Sequence, residues 1–214
     1  MSKASLVAIG FITAFAQILA AAPADRLVDQ PAKSIRGLRI SGYKGSLKFI
    51  GLDADESVKG AKAAPTNLTV DAVLKTDDQT WRPILENVDG WIQISIQGPQ
   101  SKTDWRNIQM PPVDIEVRGP SVPIVLAWKE GDLVIKNWKA TANLTHHEGK
   151  VVSEGGTAAL KLTSLEGEVT VNGHNGRFTL DNYNARVTLK KIEGGMVLEN
   201  FSGNLVVDDS KGEI

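Results

Sequence analysis

From Gly131 onward a glycine or alanine recurs every nine residues: Gly131, Ala140, Gly149, Ala158, Gly167, Gly176, Ala185, Gly194, Gly203 and Gly212. A fixed short period confines a chain to folds made by stacking one small unit on the next. The second position of the units reads Leu133, Ala142, Val151, Leu160, Val169, Phe178, Val187, Met196 and Leu205. The fourth reads Ile135, Leu144, Ser153, Leu162, Val171, Leu180, Leu189, Leu198 and Val207, so only Ala142 and Ser153 weaken the apolar pattern. Positions two and four lie on one face of a strand. A strand of about five residues therefore buries both, and the rest of the unit turns the chain past a small corner residue where backbones crowd. Asn137, Asn182 and Asn200 hold position six, where a left-handed turn conformation is tolerated.

The register extends backward through Ile124/Leu126 and Ile115/Val117, and it recurs at Leu38/Ile40 and Leu47/Phe49 with Gly45 and Ala54 at the corners. Residues 64–112 break it. That stretch reads as two longer strands, Leu68–Leu74 and Trp91–Gln97, joined by a polar connection and followed by a proline-containing loop, Gly98–Pro112. The division expected is a leader over 1–24, a linker over 25–34, an N-terminal β region over 35–112 that caps the stack, and β-solenoid repeats over 113–214.

Charge sets the number of strands per turn. Residues stacked in a parallel sheet are about 4.8 Å apart, so opposite charges should alternate along a ladder. In steps of eighteen, position one reads Asp132, Lys150, Glu168, Arg186, Asn204, and position five reads Lys136, Glu154, Asn172, Lys190, Asp208. Steps of nine or twenty-seven give no such order. The spacing predicts an all-β, parallel β-solenoid with two strands per eighteen-residue turn, two facing sheets, and a less regular N-terminal β segment. The same step sorts position three into an outward stripe of Val134, Val152, Thr170, Thr188 and Val206 on one face and Asn143, Lys161, Thr179 and Val197 on the other. The stripe is either ordinary strand composition or a contact surface for a partner or for the 64–112 segment. Leu165, Tyr183 and Phe201 share a ladder at position seven and are expected in the core.

With its Gly37-Leu38-Arg39-Ile40-Ser41-Gly42 strand, its Met110-Pro111-Pro112-Val113-Asp114-Ile115-Glu116-Val117 segment and its glycine-spaced repeats, the chain resembles a bacterial family of exported β-solenoid proteins of unknown function that goes under the label of putative adhesins. The resemblance implies a right-handed parallel solenoid and export. It supplies no catalytic motif, so no site residue is carried across.

The N-terminus reads as a Sec-type signal: Lys3, the apolar run Ala4–Ala16 extended by Ile18 and Leu19, and Ala22-Pro23-Ala24 before a cut after Ala24. The run is short for a full membrane span of ~20 residues, and no comparable run follows. Its removal takes the formal charge from −1 to −2, because only Lys3 is lost. A chain so near neutrality has no electrostatic reason to bind nucleic acid. With no cysteine, disulfides, thiol catalysis, cysteine zinc sites and lipid anchoring through an N-terminal cysteine are all excluded.

Chemistry is sparse. Three histidines, His146, His147 and His174, do not converge as a metal site requires, and surface or corner positions are expected for them. The isolated pairs Gly155-Gly156 and Gly194-Gly195 lack the aspartates of a calcium-binding nonapeptide. Asp53, Asp55 and Glu56 suit a solvated loop better than a cation site. No G-x-S-x-G, phosphate-binding loop or dinucleotide fingerprint occurs. Asp181 and Glu199 fall on adjacent rungs, close enough for retaining glycoside hydrolysis only if a groove surrounded them. No catalytic residue, metal or cofactor is therefore expected.

All five tryptophans, Trp81, Trp91, Trp105, Trp128 and Trp138, lie between residues 81 and 138. They either cover the N-terminal end of the core or form an aromatic platform for a sugar or protein. After Gly212 only Glu213-Ile214 begin another unit, with no polar cap, so an end-to-end homodimer is a further expectation. The expected function is a non-enzymatic, adhesin-like binding module that engages a protein or glycan at the envelope or surface, through Trp81, Trp91, Trp105, Trp128 and the valine–threonine stripe. A periplasmic structural role is the alternative, and a solenoid hydrolase acting on carbohydrate ranks behind both.

Overall fold

A computed structural model describes residues 24–53, 65–98 and 110–212. Residues 1–23 of the expected leader over 1–24, together with Ala54, Asp55, Glu56, Trp105 and Glu213-Ile214, lie outside these residues. The described residues form seventeen strands and one short 3-10 turn in chain order: β1 Asp25–Pro31, the turn Ala32–Ser34, β2 Gly37–Lys44, β3 Leu47–Gly51, β4 Asn67–Leu74, β5 Arg82–Val88, β6 Trp91–Gln97, β7 Val113–Gly119, β8 Ile124–Glu130, β9 Leu133–Lys136, β10 Ala142–Glu148, β11 Lys150–Glu154, β12 Leu160–Ser164, β13 Glu168–Asn172, β14 Phe178–Asn182, β15 Arg186–Lys190, β16 Met196–Asn200 and β17 Leu205–Asp208. They form two mixed sheets in which parallel pairing predominates. Sheet A has the order β1-β4-β7-β3-β9-β11-β13-β15-β17, and sheet B has the order β16-β14-β12-β10-β8-β2-β6-β5.

From β8 on, successive strands alternate between the sheets, and each pairs in parallel with the strand eighteen residues away: Leu144 with Leu162, Val151 with Val169, Leu180 with Leu198. The charge ladders run through this register. Glu168 sits between Lys150 and Arg186, Lys136 Nζ lies 2.7 Å from Glu154, and Lys190 pairs with Asp208. Positions two and four point inward into one continuous hydrophobic core and are buried as far as Met196, Ala142 and Ser153 included, while Leu198 and Leu205 are partly buried and Val207 is exposed. At the corners, Gly131, Gly149 and Gly167 adopt φ of 121°, 126° and 101°. A Cβ there would lie within 2.3 Å of the carbonyl oxygen of Gly45, Gly131 or Gly149 below, so both conformation and crowding demand glycine.

Three expectations are corrected. The stretch 25–34, expected as a linker, holds β1, which pairs antiparallel with β4. The connection between the two long strands contains β5, joined to β6 through Asp89 and Gly90, both at positive φ. That Asp-Gly pair is a strong hairpin signal. Of the three position-six asparagines only Asn137 is left-handed. Asn182 ends β14 with its side chain buried, accepting from the Ala185 amide at 3.0 Å and donating to the Ala185 carbonyl at 2.9 Å and to Asn200 Oδ1 at 2.5 Å.

The early strands are not stacked first. β2 lies between β6 and β8, and β3 between β7 and β9. The first strand pair is thus inserted between two pairs that come later in the chain, and no layer boundary falls at residue 112.

Candidate functional site

The described tryptophans do not gather on one platform. Trp128 is buried, its ring lies over Gly42, where a Cβ would be 1.9 Å away, and its Nε1 donates to the carbonyls of Gly45 and Glu130. Trp81 is buried over Gly98. Trp138 is buried edge-on to Phe49 at 5.6 Å, with Nε1 donating to the Val122 carbonyl. As candidate surface residues Trp81 and Trp128 are therefore corrected: each is buried over a glycine in a neighbouring segment, and Trp128 joins the core. Trp91 alone among the described tryptophans reaches the outer face of sheet B. It lies over Gly37, with the Arg39 guanidinium 4.8 Å from its ring centroid, a cation–π distance.

Beside Trp91 the strands of sheet B form a shallow cleft of about 250 Å³ lined by Arg39, Ser41, Glu86, Gln93, Ser95, Val125 and Ala127. A second hollow of about 250 Å³ shares Val125 and continues past Trp91 to Thr141, Asn143 and Lys161. The register explains the continuity. Glu86 opposes Gln93, Gln93 opposes Arg39, Arg39 opposes Val125, Val125 opposes Asn143, and Asn143 opposes Lys161. One row of side chains therefore crosses six strands, with a floor of small residues, Ser41, Ser95 and Ala127, beside it. Sequence reasoning missed Glu86, Gln93 and Arg39 because three separate stretches supply the row. The available signal was position three: Asn143 and Lys161 belong to it, and Arg39 follows Leu38 as Val125 follows Ile124.

On sheet A the stripe forms as spaced. Val134, Val152, Thr170, Thr188 and Val206 are consecutive partners, half-buried along its length and exposed at Val206. The described strands of the 65–98 stretch extend the sheets edgewise, so they do not lie over the stripe. Lys48 prolongs it beyond Val134 and is paired with Glu116 at 3.1 Å.

The histidines depart from expectation. His146 and His174 are buried, and only His147 is exposed. His146 Nε2 lies 2.7 Å from the Gly131 carbonyl. Burial pushes its imidazole below the ordinary value, against the Gly131 bond and nearby Asp132, which favour the proton. Burial pushes His174 down likewise, against carbonyls of Arg177, Gly155 and Ala158. Among the described residues no three His, Asp or Glu side chains could hold a metal ion. Asp53 is engaged by the Ser121 amide and hydroxyl. Asp181 does oppose Glu199, but its carboxylate is held by Lys161 and the Thr163 hydroxyl, each at 3.3 Å. Tyr183 and Phe201, expected in the core, are exposed at a corner and stack on each other at 5.0 Å with 14° between the rings.

No helix among the described residues is long and apolar enough to cross a membrane, which says nothing of strands. The sequence matches no family model and no curated protein. Among solved structures, the chain is similar to a putative cell adhesion protein from Clostridium sporogenes. That match covers 89% of this chain and 100% of the other, at 11% identity and a TM-score of 0.44.

Proposed function

We propose that this chain is an exported, non-enzymatic binding module of the cell envelope or surface, in which the two sheets are the walls of one right-handed solenoid and the outer face of sheet B holds a protein or glycan. The observation that carries the reading is the row Glu86–Gln93–Arg39–Val125–Asn143–Lys161 beside Trp91. An extended ligand lying across the strands would meet one side chain per strand, about 4.8 Å apart. The row offers donors, acceptors and one apolar step, and Trp91 with Arg39 offers a stacking edge at its side. Such a shallow, rigid surface suits recognition, because catalysis needs convergent groups around a reacting atom.

The test has two arms. Antibody labelling of intact against permeabilised cells places the protein: labelling of intact cells supports the surface reading, and labelling only after permeabilisation moves the module to the periplasm. Arrays of envelope glycans and surface proteins are then probed with the natural chain and with Arg39→Ala/Gln93→Ala. Binding lost in the variant with circular dichroism unchanged supports the row as the contact. Equal binding by both would remove the row from the function.

A further inference from the structure

The two ends of the sheets differ in kind. At one end the outermost strands are β1 and β5. Both are antiparallel additions, and their edges carry Asp25, Asp29, Pro31, Arg82, Pro83 and Glu86. Proline lacks a donor and charge resists pairing, so this end is guarded. At the other end the outermost strands are β16 and β17, and apolar surface is open there. Val187 and Leu189 are fully buried on β15, yet on β17 Leu205 is only half-buried, and Val207, which continues the same inward column, is 38% exposed. Val206 is 52% exposed, and Phe201, the last ring of its stack, is 69% exposed.

The free edge of β17 has a definite hydrogen-bonding phase. The carbonyls of Asn204 and Asp208 accept from Val187 and Lys191, so they face β15. Alternation then turns the N–H and C=O of Leu205 and Val207 outward, and among the described residues no strand lies beyond them. An antiparallel copy centred on Val206 satisfies all four groups on each chain. Leu205 and Val207′ form a hydrogen-bonded pair, as do Val207 and Leu205′, while Val206 and Val206′ form the close, non-hydrogen-bonded pair between them. Inward residues meet inward residues. Asn204 falls opposite Asp208′, so a carboxamide meets a carboxylate. A pairing centred on Val207 would instead press Asp208 against a valine.

We propose that two copies of this chain join through the open edge of β17, antiparallel about a twofold axis at Val206. The contact is isologous, with the same edge on both sides, so it closes as a dimer. The guarded edges of β1 and β5 offer β17 no matching template for head-to-tail growth. The inference does not rest on the binding row, which lies on the outer face of sheet B and stays free in the pair.

The chain has no cysteine, so single-cysteine variants report the register directly. In a non-hydrogen-bonded antiparallel pair the Cα atoms are about 4.5 Å apart, within disulfide reach. Val206→Cys under mild oxidation should give a disulfide-linked dimer on the order of tenfold faster than Val152→Cys, which sits mid-stripe on the same face, or than Asp208→Cys. Sedimentation of the natural chain should show a monomer–dimer equilibrium, and Val206→Lys, which sets two cations face to face, should weaken it by roughly tenfold with circular dichroism unchanged. The proposal is overturned if the natural chain stays monomeric at the highest concentration reached, if it grows past the dimer, or if the Val206→Cys variant cross-links no faster than the Val152→Cys variant. It is also overturned if the thiol introduced by Val206→Cys resists thiol reagents in monomeric protein, because residues beyond 212 would then cover the edge.

Discussion

At the scale of single residues, the glycines explain where the tryptophans went. Gly42 and Trp128 are partners on β2 and β8, and Gly37 and Trp91 are partners on β2 and β6. In each pair the large ring covers a strand position that has no side chain of its own. Gly42→Ala would set a Cβ 1.9 Å from the Trp128 ring and should cost about 1–3 kcal/mol, as overpacking does. Gly195→Ala meets nothing within 4 Å and should leave the urea midpoint unchanged or slightly raised. Equal losses from both would show that ring packing is not the cause. The buried histidines set a pH dependence. Both imidazoles titrate lower in the folded chain than in the unfolded one, so the unfolded state binds more protons as pH falls. Their stabilisation is full above the unfolded value of about 6.5 and is lost as pH falls through the lower folded values. Urea midpoints at pH 7.5 and pH 5 should separate, and the gap should narrow in His146→Gln/His174→Gln.

At the scale of elements, what matters is the ladder, more than the individual strand. Glu168 lies between Lys150 and Arg186, and the Arg186 guanidinium is 3.7 Å away. These groups are exposed, so their net contribution to stability is small, but they disfavour a slipped register that would align like charges. Glu168→Lys lines up three cations on adjacent strands and should cost about 1 kcal/mol, an effect that shrinks as salt rises. Thermal melts at low and high salt check this. Asn182 differs because its side chain is interior. Asn182→Ala removes bonds to Ala185, Asn200 and Ser202 and leaves the buried Ala185 amide and carbonyl without them, a loss of about 2–3 kcal/mol that salt should not touch. A salt-dependent loss at Asn182 would contradict its interior role.

At the scale of the whole molecule, each strand touches mainly its ladder neighbours, so stability is close to a sum over neighbours. The ends open first. Amide exchange in dilute protein should be slowest in β9, β11 and β13 and fastest in β16 and β17, whose outer neighbour is missing among the described residues. Uniform protection along both sheets would show a single cooperative unit. The row Glu86–Lys161 runs inward from the edge strand β5 to β2, which is flanked on both sides, and the proposed contact, which needs six side chains held in line, would draw on that support.

The sequence by itself determined that positions two and four of the units face inward and that strands pair eighteen residues apart. Both are local consequences of strand alternation, corner glycines and charge spacing, and they appear in the register of Lys150, Glu168 and Arg186. Hidden from it were the order of the early strands and hence the row on sheet B. Leu38 finds Ile124, and Arg39 finds both Gln93 and Val125, pairings between stretches far apart in the chain. Which edge meets which is decided by the free energy of closing large loops against burying whole strand faces, and no local period records that balance. Only the tertiary structure also decided that Trp128 and His146, partners on β8 and β10, continue the inward face past positions two and four, and that Tyr183 and Phe201 lie outside at a corner.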